Sequence, residues 1–263
     1  EELQIFDLLT RGLLGRGFRV VSYDLRGQGS SSTERGLDQR IERYGEDLAA
    51  VLAASCGERD DVIVAGHSLG GMALVAWAGS VDVGAHVRAV ALISTGVTAL
   101  IDDTAVLPAA IPAGARRALL GPAFVADQPL IPASTPLSRA INRHLVFGPE
   151  ATAAQLAFIE PMTWRMPRKL RAGAATVMRD LDLSAALGRI AVPALVVVGD
   201  ADRLTPPAQA RRMVAALPHV AEFVLLRRTG HMTPLERPAE LADALVRLAR
   251  SVGLGPARLP LAD

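Results

Sequence analysis

The stretch Gly66-His67-Ser68-Leu69-Gly70-Gly71 concentrates the residue types that carry nucleophilic chemistry. It follows the apolar run Asp61-Val62-Ile63-Val64-Ala65, which reads as a buried strand, and precedes Met72–Ala78, which reads as a buried helix. The spacing Gly66-x-Ser68-x-Gly70 between a strand and a helix is that of a nucleophile elbow, a sharp turn with a serine hydroxyl at its tip. Glycine is expected on both sides because the flanking backbones pass close together. The backbone N–H of Leu69, opening a helix, is placed to meet a developing oxyanion.

A serine hydroxyl needs a base, and the base needs an orienting acid. Five histidines are available. His67 lies inside the elbow, with its side chain expected to point away from the nucleophile. It reads, with His86 in a short loop, His144 in a Pro-rich region and His219 at a helix end, as a satisfied loop or surface residue. His231 follows the strand Glu222–Leu226 and the turn Arg227-Arg228-Thr229-Gly230, in a loop closed by Pro234, and is the expected base.

The acid follows from the same logic. Leu195–Val198 is an unbroken apolar run and reads as a central strand buried on both faces. It ends in Gly199-Asp200-Ala201-Asp202-Arg203-Leu204-Thr205-Pro206, where two aspartates compete. Asp202, deeper in the loop and beside a helix start, is the preferred partner of His231. Asp200 reads as a brace that caps loop N–H groups.

These pieces resemble the α/β-hydrolase family. The resemblance rests on Gly17–Ser30 with its Asp24-Leu25-Arg26-Gly27-x-Gly29 turn, the elbow, Val198–Pro206 and Gly230-His231-Met232, in the family's order. It implies a mostly parallel sheet with helices on both faces, and a helical cap inserted after the sixth family strand. It implies Ser68, Asp202 and His231 as catalytic residues, in the order Ser, Asp, His. It also implies a central strand between Arg19–Tyr23 and Val62–Ala65, ending in a His-Gly loop that gives a second oxyanion donor. Glu1–Leu9 reads instead as the helix after that loop, with apolar residues at 5, 6, 8, 9 and 13. The N-terminal strands and the second donor are thus expected to be missing, and the sequence reads as a fragment or a late start.

The expected organisation is residues 1–96 for the N-terminal part of the core with the elbow, 97–171 for the cap, and 172–263 for the rest of the core with the acid and histidine loops. The middle is broken by prolines into short elements, with helices expected over Leu137–Phe147, Ala151–Ile159 and Pro167–Leu181. Its apolar residues include Phe124, Val125, Phe158, Met162 and Trp164. Most are expected to form the cap's own core. Met162 and Trp164, in a segment that reads as non-helical between prolines, are the expected substrate contacts.

Composition narrows the function. The chain has 263 residues, half of them hydrophobic, and a formal net charge of +1. That suits one α/β domain with a sizeable core and gives no sign of nucleic-acid binding. A single cysteine, Cys56, excludes an intrachain disulfide and makes a reducing, cytoplasmic setting the default. Apolar stretches break well short of a membrane span. No cofactor and no metal are expected, because no Cys/His cluster or His-Glu-x-x-His spacing occurs. The expected activity is hydrolysis of a small or medium lipid-like carboxylic ester through an acyl-serine. Lactone or C–C hydrolysis, perhydrolysis and a catalytically impaired binding protein are the alternatives. The expected partner is the small-molecule ester alone, and the sequence does not set an oligomeric state.

Overall fold

A computed structural model describes residues 2–31, 37–57, 60–80, 86–107, 110–112, 114–116, 118–120, 135–165 and 168–256. Its centre is a parallel sheet of β1 (Val62–His67), β2 (Val87–Ile93), β3 (Ala194–Gly199) and β4 (Val220–Leu226), in the order β1-β2-β3-β4. Every residue of β3 is buried, as its unbroken apolar run requires of a strand covered on both faces.

Alternation along the strands divides the core in two. On one face Val64, Val90, Leu92, Val196 and Val198 pack against Leu74 and Trp77 of the elbow helix (Leu69–Ser80) and Met213 of the helix Pro207–Ala216. On the other, Ala91, Ile93, Leu195 and Val197 meet Leu241, Leu245 and Leu248 of the helix Pro238–Ser251. The result is a three-layer α/β sandwich whose strands all end on the same edge, where the loops of interest lie.

The N-terminus forms a short 3-10 turn, Leu3–Phe6, and a helix, Asp7–Leu14. Ile5 and Leu9 are buried, but Leu8 is half exposed, so the apolar face is narrower than the sequence pattern suggests.

The strand expected at Arg19–Tyr23 does not form; these residues belong to no ladder. A strand needs a neighbour to take its backbone groups. In β1 the N–H groups of Val62 and Ser68 at either end point to β2 (His86 O, 2.9 Å; Ile93 O, 3.0 Å). Alternation turns the groups of Ile63 and Ala65 to the opposite edge. That edge faces a cavity of about 490 Å³, whose far wall includes Val20 and Tyr23. No ladder joins the two segments across it. Arg26 nevertheless ties its loop down, with two bonds to Asp47 (2.6 and 2.7 Å) and one to the Asp38 carbonyl (2.7 Å).

Between β2 and β3 lie helices Pro136–Val146, Ala153–Arg165 and Arg168–Arg179. The second runs past the expected end at Ile159 with Pro161 inside it, so the backbone at Met162 and Trp164 is helical, not an open segment. Proline lacks the N–H for a helical bond. Tertiary contacts outweigh that loss: Ile159 and Met162 pack on Phe147 and Met232, and the Gln155 side chain donates to the Leu235 carbonyl (2.7 Å). Phe124 and Val125 lie outside the described residues. No helix among the described residues is long and apolar enough to cross a membrane.

Candidate active site

Ser68 sits between β1 and the elbow helix with φ of +48°, in the left-handed region. A non-glycine residue there costs on the order of 1–3 kcal/mol, so its surroundings must hold it. They do so through its carbonyl, which accepts from the N–H of Gly71 (2.9 Å) and Met72 (3.1 Å) and the hydroxyl of Thr95 (2.7 Å). Close packing explains one flanking glycine: a Cβ at Gly66 would lie 2.5 Å from the Gly70 carbonyl oxygen. It does not explain the other. A Cβ at Gly70 would meet nothing within 4 Å, whereas one at Gly71 would lie 2.7 Å from Thr95. The tight second position is Gly71, because the helix turns that residue toward the end of β2.

His231 enters from the loop after β4. Its Nε2 lies 3.0 Å from Ser68 Oγ and its Nδ1 lies 3.0 Å from Asp202 Oδ2. With Nδ1–H donating to the carboxylate, Nε2 is left to accept from the serine hydroxyl; this tautomer is assigned from the network. The Asp202 side chain is fully buried. Its Oδ1 accepts from the N–H groups of Leu204 and Thr205 (both 2.9 Å), and its Oδ2 accepts from the Thr205 hydroxyl (2.9 Å). Burial alone would push this carboxyl up. The charge and hydrogen bond of His231 and the two bonds from Thr205 outweigh it and hold the group below the usual carboxylate range.

Asp200, at the end of β3, turns elsewhere. It accepts from the Thr229 N–H (3.3 Å) and faces Arg227 (3.8 Å), which braces the histidine loop. The Leu69 N–H, at the first residue of the elbow helix, donates to no group among the described residues, and it lies next to Ser68. Met162 is half-buried in the cluster that contains Met232, the neighbour of His231. The Trp164 side chain lies outside the described residues. His86, His144 and His219 are exposed.

Sequence reasoning missed two residues. Thr205 reaches both Asp202 and, at 3.2 Å, His231 Nδ1. An aspartate three residues ahead of a threonine, just before a proline, is a local turn signal that pointed to it. His67 is buried rather than a surface residue, and its Nε2 lies 2.8 Å from the His231 carbonyl oxygen, to which it donates. The two imidazole centroids are 5.0 Å apart. No local signal reports a contact across 164 residues.

A strand-end serine, a histidine and a buried aspartate from three separate loops of a parallel sheet define a nucleophile–base–acid line on an α/β scaffold. The chain belongs to the alpha/beta hydrolase family, whose sequence model matches residues 3–244, and so stands among hydrolase enzymes. Methylesterase 3 of Arabidopsis thaliana is 25% identical over 243 residues, covering 89% of this chain and 86% of that protein. Two solved esterases share the fold. The thermophilic esterase of Thermogutta terrifontis has a TM-score of 0.70 at 24% identity, with 95% of this chain and 86% of that one covered. The esterase of Exiguobacterium antarcticum has a TM-score of 0.76 at 18% identity, covering 95% and 88%.

Proposed function

We propose that the protein is a serine hydrolase that cleaves carboxylic esters with small or medium lipid-like acyl groups through an acyl-serine. The observation that carries this reading is the unbroken line Ser68 Oγ–His231 Nε2 and His231 Nδ1–Asp202 Oδ2, each link 3.0 Å.

In the reaction, Ser68 Oγ attacks the ester carbonyl while His231 Nε2 takes its proton. Asp202 keeps the imidazole in the required tautomer and stabilises its charged form. The Leu69 N–H receives the oxyanion, aided by the first turn of the elbow helix. His231 then returns the proton to the leaving alcohol, and the acyl group remains on Ser68. Water, deprotonated by His231, attacks the acyl carbon; the acid leaves and the serine is restored. The segment 97–171 acts as a cap over this site. Its apolar side chains, with Met162 and Trp164 as the substrate contacts, favour apolar acyl groups. The name of the methylesterase relative agrees with an ester substrate.

A fluorophosphonate probe followed by p-nitrophenyl esters of rising chain length tests the reading. Wild type is expected to label and to hydrolyse the shorter esters, and Ser68→Ala to do neither. Equal labelling of both proteins, or no hydrolysis at any chain length, overturns it.

A further inference from the structure

Glu236 is 93% buried with no cationic side chain bonded to it among the described residues, although Arg237 is its neighbour in sequence. Its carboxylate instead faces backbone. Oε2 accepts from the Gly148 N–H (2.8 Å), and the Gly230 N–H is shared between Oε1 (3.0 Å) and Oε2 (3.2 Å). Gly230 immediately precedes His231. Gly148 lies just past the end of the helix Pro136–Val146.

The two backbones are in direct contact. A Cβ at Gly230 would lie 2.4 Å from the Gly148 nitrogen, and one at Gly148 would lie 2.5 Å from the Arg228 carbonyl oxygen. No side chain fits between them, so a carboxylate arriving from the side is what reaches both N–H groups. A third link crosses the same junction: the His231 N–H donates to the Val146 carbonyl (2.8 Å). At the surface, Glu150 pairs with both Arg228 and Arg237.

We propose that Glu236 is a positioning residue, which fixes His231 against Ser68 by clamping the histidine loop to the Val146–Gly148 end of the helical segment. This rests on the reading of His231 as the general base. One carboxylate thereby couples the placement of the base to the placement of the segment above it. Buried charge-assisted bonds to main-chain N–H groups are among the strong ones, and small displacements of a base are costly.

The clamp has a pH signature. Burial pushes the Glu236 carboxyl above the usual range; the Gly148 and Gly230 bonds and Arg237 oppose the shift, and Asp202 adds to it. The other charged groups at the junction, Arg228 and Glu150, are paired with each other. As pH falls through the raised value, the carboxylate takes a proton, accepts more weakly, and the clamp loosens.

Glu236→Gln in the full chain tests this, because the amide keeps the shape and removes the charge and its titration. The expected result is a kcat about 10- to 100-fold lower with KM little changed. The acid limb of the kcat profile should lose the steepness that a second proton gives wild type. Amide exchange at Gly148 and Gly230 should accelerate about tenfold or more. Exchange at those two amides unchanged overturns the clamp, and faster exchange with kcat and acid limb unchanged overturns the positioning role. If Glu236→Gln does not fold, Glu236→Asp, one methylene short of the two N–H groups, carries the same readouts. Wild type inactive toward ester and probe overturns the hydrolase reading instead, and the exchange measurement then decides the clamp by itself.

Discussion

Asp202→Asn separates the two aspartates of the β3 loop and exposes what Asp202 contributes. Its Oδ1 receives two backbone N–H groups, from Leu204 and Thr205, so the carbonyl oxygen of the introduced amide must stay there. The NH₂ group then takes the place of Oδ2, opposite His231 Nδ1 and the Thr205 hydroxyl. A donor in that place forces Nδ1 to accept, which moves the imidazole proton to Nε2. Nε2 faces Ser68 Oγ at 3.0 Å and can no longer take its proton. A wrong tautomer of this kind lowers kcat by about ten-thousand-fold in the serine-protease precedent. At about 1.36 kcal/mol per factor of ten, that is roughly 5 kcal/mol of barrier. Asp200→Asn keeps an amide oxygen to accept the long 3.3 Å bond from the Thr229 N–H and removes only a partly exposed ion pair with Arg227. Exposed pairs contribute about 0–1 kcal/mol, so less than about tenfold is expected. The assay is p-nitrophenyl ester hydrolysis at neutral pH, with melting curves to confirm folding. Comparable losses in the two variants, or Asp202→Asn within tenfold of wild type, would refute the reasoning.

Two further expectations test the site's supports. Thr205→Val removes one bond to a buried carboxylate while leaving the two backbone donors, so about 1.5–3 kcal/mol of stability should be lost. For a chain of this size, that is a melting temperature lower by about 3–12 °C; kcat should stay within about tenfold, and a larger loss would assign Thr205 a direct part in orienting His231. Gly66→Ala and Gly70→Ala should part company in a melting experiment. The first puts a methyl 2.5 Å from a carbonyl oxygen and should cost about 1–3 kcal/mol or more, whereas the second enters open space at a helical position and should be neutral or stabilising by up to about 1 kcal/mol. Equal effects would contradict the elbow geometry.

The sequence by itself determined the parts that local pattern encodes. The apolar run Leu195–Val198 is a strand buried on both faces, because a continuous apolar run bounded by turns leaves few alternatives. Ser68 at a strand-to-helix turn was legible for the same reason, whereas the order of Ser68, Asp202 and His231 along the chain was implied by the family resemblance. Tertiary structure decided what depends on neighbours distant in sequence. The segment Arg19–Tyr23 has strand-like residues but no strand beside it, and backbone without a partner forms no ladder. Pro161 reads as a breaker, yet packing against Phe147 and Met232 carries the helix through it. The closeness that makes a glycine necessary falls on Gly71 rather than Gly70, because the helix phase and Thr95 set it. Two aspartates two residues apart are nearly alike as sequence; only the direction of the loop gives Asp202 to His231 and Asp200 to Thr229. His231 meets Ser68 across 163 residues, and packing of the sheet's layers, not any spacing in the chain, brings them to 3.0 Å.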